Sequence, residues 1–299
     1  ERTDVLWIRA EMIQAIRLFF ITHGYLEVET PYLIPAPAPE THIDAIACGN
    51  LFLHTSPELC MKRLLAAGYS KIFQIGKCYR AAERGARHLP EFTMLEWYRA
   101  GTDYFGLMKE CEEMIRFVSA QTGRGDTINY KGREIDLTPP WERLTVHDAF
   151  DRYAPVSMRQ ALQENSFDEI MAFNIEPRLG HEKPSFIFDY PAIHASLARI
   201  KTDSPELAER VELYMAGIEL ANGFSELNDP DEQRRRFMEV MQERKAMGKN
   251  VYPMAEKFLE AVGHMPASAG IAFGIDRLIM LFTGALSIDE VVAFTPENL

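Results

Sequence analysis

The chain has 299 residues, 47% of them hydrophobic and 25% charged, with a formal net charge of −12. That composition suits a globular protein with a sizeable core. The acidic balance argues against a broad nucleic-acid-binding face, and no apolar run reaches the ~18 residues of a membrane span. The four cysteines (Cys48, Cys60, Cys78, Cys111) form no CxxC pair and the histidines no HExxH, so reduced thiols in a cytoplasmic protein are expected and a zinc site is not.

Glu1–Phe20 opens as an amphipathic helix rather than a signal peptide. Val5, Ile8, Met12, Ile16 and Phe19 recur at helical steps and predict a helix from Asp4 to His23, with Gly24 at its C-cap. Tyr25–Thr30 alternates as a strand and stops at Pro31. Pro35–Pro39 (PAPAP) is a stiff connector, and Leu51–His54 a short strand. Ser56-Pro57-Glu58 predicts a helix start with Ser56 as N-cap, and Gly68 marks the end. Alone, Glu58 reads as a surface acid favouring the helix dipole.

Lys77–Arg99 is the densest stretch. Strands at Lys71–Arg80 and Phe92–Tyr98 flank a loop carrying Arg80, Arg84, Arg87 and His88. Phe92, Met94, Glu96 and Tyr98 share one face of the second strand. An aromatic, a carboxylate and a phenol beside a cationic loop suit a flat anion such as a nucleotide. A hairpin with a solvated basic turn is the plainer reading of that stretch alone.

Gly101–Ala120 reads as a helix and Gly123–Thr138 as a hairpin around Lys131-Gly132. Thr145–Tyr153 and Met158–Phe173 read as helices of a small insertion at about 140–180. Phe186–Tyr190 reads as a strand, and Leu207–Met215 begins helix-like. Gly217–Leu227 puts Asn222, Phe224 and Glu226 on one strand face. Glu212 and Glu219 flank a probable turn at Ala216-Gly217, where they could hold Mg²⁺ on a polyphosphate or be ordinary solvated acids. Asp231–Lys245 reads as a solvated charged helix. Gly270–Phe282 runs from strand to helix at Gly274, with Asp276 and Arg277 in the first helical turn; an anionic ligand would offset the cation there. With no Walker A, GxGxxG or GxSxG motif, ATP would have to bind on an antiparallel sheet through cations and aromatic stacking. The expected fold class is α+β with an antiparallel sheet flanked by helices.

The helix–strand–Pro31 unit, the Arg80 loop with PEFTMLEWY, and GIDR resemble motifs 1, 2 and 3 of class II aminoacyl-tRNA synthetases. TSPELCMKRL and GIELANGFSELND resemble the lysyl branch. TSPE, GIELANGF, Ala272 and EKPSFIFDYPAIHASLA are similar to its paralogues, the elongation factor P–(R)-β-lysine ligases. The resemblance implies a class II synthetase catalytic fold over residues 1–299, one domain without an anticodon-binding domain. It implies ATP-dependent activation of lysine, or of (R)-β-lysine, as an adenylate and transfer to elongation factor P. Its cofactors would be ATP and Mg²⁺, with a homodimer through motif 1, no tRNA and no membrane. Arg80 would bridge the α-phosphate and the substrate carboxylate. Phe92 and Arg277 would sandwich the adenine, and Arg87 and His88 would hold the outer phosphates. Glu212 and Glu219 would hold the metal. Glu58 would receive the amine near the carboxylate, and Glu226 with Tyr98 the terminal ammonium, while Glu96, Asn222, Phe224 and Ala272 shape the pocket. One departure is local: the family's Arg-Asn-Glu is Arg80-Ala81-Ala82 here, with Glu83 one place later. A compact lysyl-tRNA synthetase core and a non-catalytic synthetase-like binding protein are the rival expectations.

Overall fold

In the computed structural model, residues 2–299 are described; Glu1, the first residue of the opening amphipathic stretch, lies outside them. Helix α1 (Arg2–Thr22) ends at Gly24 in the left-handed region, which glycine adopts without strain. The Tyr25–Thr30 strand shrinks to β1 (Leu26–Glu27), which pairs parallel with β5. Then come β2 (Leu33–Ile34), β3 (Ile46–Cys48), β4 (Leu51–Leu53) and α2 (Glu58–Ala66). Pro57 takes the N-cap position of α2. Ser56 lies one residue further out, and its Oγ accepts the Glu58 N–H at 3.0 Å.

The long pair β5 (Lys71–Tyr79) and β6 (Glu91–Ala100) leads to α3 (Tyr104–Gln121), capped by Asp103. β7 (Thr127–Tyr130) and β8 (Arg133–Asp136) form the expected hairpin. Lys131 and Gly132 both have positive φ, as a two-residue mirror-type turn requires. After β9 (Glu142–Thr145) come α4 (Val146–Tyr153), α5 (Met158–Gln163) and α6 (Phe167–Ile170). The Met158–Phe173 helix is thus broken, with Asn165 at φ 54 in the break.

β10 (Ser185–Pro191), β11 (Leu207–Met215) and β12 (Ile218–Ser225) are antiparallel neighbours. Leu207–Met215 is therefore a strand throughout. Most of it is buried, so it lacks the in–out alternation that marks a half-exposed strand. α7 (Pro230–Ala246) and α8 (Glu256–Val262) precede β13 (Ser268–Gly274) and α9 (Ile275–Thr283). α7 is not wholly solvated. Arg244 is fully buried and donates to the Glu40, Ile43 and Asn250 carbonyls, tying down the segment that follows the Pro35–Pro39 connector.

The main sheet has eight strands in the order β1-β5-β6-β13-β12-β11-β10-β9. Its centre is antiparallel as expected, but both edge pairs, β1–β5 and β9–β10, are parallel, so the sheet is mixed. One face carries Phe73, Leu95, Trp97, Ile271 and Phe273 against α1, α3 and α9. The other is covered only at its ends. α2 and α8 pack over one end and α4–α6 over the other, leaving a trough between.

Candidate active site

The floor of the trough is β13. Its core face bears Ala269, Ile271 and Phe273, and its trough face only Gly270, Ala272 and Gly274. Register sets the walls. Gln74, Glu96, Ala272, Asn222 and Glu212 form one row across five strands. Ile72, Tyr98, Gly270, Phe224 and Arg210 form the next. Glu219 stands three residues from Asn222 and on a regular strand would face the core. A bulge corrects this: Leu213 pairs with Ala221 but Tyr214 with Glu219, so Leu220 is the extra residue and Glu219 joins the trough face.

One end of the trough is a buried acidic pocket. Glu226 and Glu96 are each 1% exposed. Glu96 accepts hydrogen bonds from the Tyr98 hydroxyl at 2.7 Å and from the Ser56 hydroxyl at 2.6 Å. Burial and the neighbouring Glu58 carboxylate push Glu96 up to about 8. Sequence reasoning missed the cation here. Lys62 is wholly buried, with Nζ 2.5 Å from Glu58 Oε1 and 2.5 Å from Glu226 Oε2. Its helical spacing from Leu59 and Leu65 on the apolar face of α2 is a signal that it points inward. Glu226 Oε1 has no hydrogen-bond partner among the described residues. A methyl on Gly270 would collide with the Tyr98 ring and with Glu226 Oε1, so only glycine leaves room for that carboxylate behind the trough floor.

The middle holds Arg80. Its guanidinium lies 5.0 Å over the Phe92 ring and 3.8 Å from Glu83, and its buried Nε has no partner among the described residues. Phe92 is thus stacked on Arg80 rather than paired with Arg277. Glu40, also missed because it sits at the end of a proline-rich connector, faces Arg80 and Glu58; burial raises its carboxyl.

At the other end, Arg277 donates to the Glu219 carbonyl at 2.8 Å and to His88 Nε2 at 2.7 Å. Burial and three cations, Arg277 first, push His88 down to about 4, so it is a neutral imidazole at pH 7 and not a fourth positive charge. Arg87 reaches the turn and donates to the Gly217 carbonyl. Arg84 turns away to Glu297 and Asp289. Glu212 is held by Arg210 at 2.5 Å, Tyr190 at 2.6 Å and Tyr214 at 2.7 Å. Glu176, from the segment after α6, is pushed up to about 7 by burial, Glu212 and Glu219. Glu219 is likewise raised, by burial and then Glu212.

No group of three or more His, Cys, Asp or Glu among the described residues forms a metal cage. Glu212 and Glu219 nevertheless fit Mg²⁺ when phosphates supply the remaining ligands: both are hard oxygen donors, and Glu219 is raised by burial and by the Glu212 carboxylate beside it, which a cation would offset.

A family model described as tRNA synthetases class II (D, K and N) matches residues 1–298. The chain belongs to that family. The mixed sheet with its helices is the catalytic fold of class II synthetases. Among its relatives is the lysine–tRNA ligase of Moorella thermoacetica, 38% identical over 98% of this chain and 65% of the relative. The chain thus spans just under two thirds of the length of that relative. The elongation factor P–(R)-β-lysine ligases of Pectobacterium carotovorum and Edwardsiella ictaluri are each 39% identical, over 97% of this chain and 94% of theirs. No helix among the described residues is long and apolar enough to cross a membrane.

Proposed function

We propose that the chain uses ATP to activate lysine, with (R)-β-lysine preferred, as an aminoacyl-adenylate, and passes it to a lysine side chain of elongation factor P. One observation carries the substrate class: Glu226 Oε1 is buried, unpartnered and lies directly against Gly270 on the trough floor. An unpaired buried carboxylate oxygen is costly, and an ammonium offsets that cost. The similarity to elongation factor P–(R)-β-lysine ligases, over 94% of their length, supports the acceptor.

In this reading Glu226 and Tyr98 receive the terminal ammonium, and Glu58 the amine nearer the carboxylate. Arg80 holds that carboxylate beside the α-phosphate. A carboxylate oxygen attacks the α-phosphorus in line and pyrophosphate leaves. Arg80 neutralises the charge that develops there, so catalysis is positioning plus electrostatics. The acceptor amine then attacks the adenylate carbonyl, forming an amide and releasing AMP. Arg277 and Phe92 flank the adenine once Arg80 leaves the Phe92 ring, and Arg87 and His88 meet the outer phosphates. Glu212 and Glu219 would hold Mg²⁺, which neutralises the triphosphate when bound. Asn222, Phe224, Glu96 and Ala272 shape the pocket. The enzyme works as a cytoplasmic homodimer; Trp7, Leu18 and Ile21 give α1 an exposed apolar flank suited to that contact. The whole chain acts as one catalytic domain, with a helical insertion at about 140–180.

The lysine–tRNA ligase relatives favour a second reading, charging of tRNA. ATP–pyrophosphate exchange with α-lysine and (R)-β-lysine, followed by transfer to elongation factor P or to tRNA(Lys), separates the two. Labelled elongation factor P is the expected product. Charged tRNA alone would establish the second reading, and no exchange with either amino acid would refute both. Glu226→Ala should cost about a thousandfold in exchange efficiency, or about 4 kcal/mol, with ATP binding intact. Activity surviving that change would unseat the ammonium assignment.

A further inference from the structure

Lys62 has no part in the chemistry above. It is nonetheless the fully buried ammonium in the acidic pocket, 2.5 Å from each of two carboxylates that the proposed function assigns to substrate amines. It comes from α2, one turn beyond Glu58, so helical spacing fixes it against that residue. Its contact with Glu226 uses Oε2, which leaves Oε1 facing the trough. With an exposure of 0%, Lys62 has no route to solvent when a ligand enters.

We propose that Lys62 is a resident counter-ion and positioning residue for amine recognition: it stays in place when substrate binds, ties Glu58 to Glu226, and keeps Glu226 able to present an ionised Oε1 to the incoming ammonium. The inference rests on the functional reading above.

The surroundings give the sign. The titratable and charged groups around Glu226 are Glu58 and Lys62 on α2 and Glu96 and Tyr98 on β6. Burial and Glu58 raise the Glu226 carboxyl to about 8, and Lys62 is the group that opposes them. Without that ammonium, three buried carboxyls and a phenol remain, and a charge on Glu226 is harder to hold. Lysine carries its terminal ammonium throughout pH 6–9, and titration of its other amine is common to every protein compared. The difference between their pH dependences therefore reports on the carboxyls that receive the terminal ammonium.

The test is ATP–pyrophosphate exchange of Lys62→Met and of the unaltered protein from pH 6 to 9. In the variant the acidic limb of 1/KM for lysine should move up by at least one pH unit. KM at pH 7 should rise tenfold or more and approach that of the unaltered protein near pH 9, with kcat changed less than threefold. A merely structural role would lower kcat or ATP affinity at every pH and leave the limb in place, which would overturn the inference. Titration of ATP binding checks that Lys62→Met is folded. If it is not, Lys62→Arg and Lys62→Gln are compared instead. A limb near the original for arginine and raised for glutamine supports the counter-ion; identical profiles for the two overturn it. Lack of lysine-dependent exchange in the unaltered protein would be failure of the functional reading. A normal profile there with an unmoved limb in the variants would be failure of this inference alone.

Discussion

At the Glu226 end of the trough the charges are buried and paired within the protein, Lys62 against Glu58 and Glu226. At the Arg277 end most of them are part-exposed, and like charges stand side by side. Arg80, Arg87 and Arg277 all depress His88, while burial and the Glu212 carboxylate raise both Glu176 and Glu219. The first end is assembled before any ligand arrives and offers one open carboxylate oxygen. The second is frustrated until a polyanion and a cation enter. Specificity toward the amino acid thus resides in preorganised packing, whereas nucleotide binding draws on relief of repulsion.

Three experiments probe that contrast. Arg80 joins the two ends, so Arg80→Ala should have the largest effect, a loss of about 10³-fold in kcat of exchange. A loss confined to KM for ATP would instead place Arg80 with the second end only. Gly270→Ala should act on the first end alone. Its methyl meets the Tyr98 ring and Glu226 Oε1, and KM for lysine should rise about 10- to 100-fold with ATP affinity held. Equal damage to both substrates would mean that the sheet had shifted as a whole. The smallest effect belongs to His88. Its folded-state value, about 4, lies below the ordinary histidine range, so the unfolded chain binds the proton more readily. Stability from the neutral ring is full above about pH 6.5 and is lost as pH falls toward 4. Melting of His88→Gln should show less loss over that window, with ATP affinity at pH 7.5 within about twofold of the original. A parallel loss in both proteins would refute the assignment.

Much of this was legible because Phe92, Glu96 and Tyr98 recur at every second or fourth position of β6, Gly270 and Gly274 punctuate β13, and the turn residues carry their usual signatures. The misreadings have separate causes, of which burial on both sides of a strand is the first. Leu207–Met215 is buried along most of its length and so lost its period of two. Glu219 does lie near Glu212, but the bulge at Leu220 that turns it to the trough leaves no mark in composition. Lys62 was overlooked because a lysine four residues after a glutamate is the usual pattern of an exposed helical ion pair. The departure at Ala82 gains a physical form. Its φ of 60 is strained for a residue with a side chain, and it precedes Glu83, which turns toward Arg80.

The run Gly270, Ala272, Gly274 also works as a graduated scale. Along a strand these positions stand about 6.6 Å apart, so the three span about 13 Å from the ammonium end to the start of α9. Each mark is a place where one added methyl would narrow the trough at a known depth, against the Tyr98 ring and Glu226 at Gly270 and with only ordinary contacts at Gly274. Ala272 is the mark already raised. Enlarging 270, 272 or 274 singly would yield a set of enzymes whose preferred substrates differ in where they are thick, and therefore a direct reading of which atom of the substrate lies over which rung.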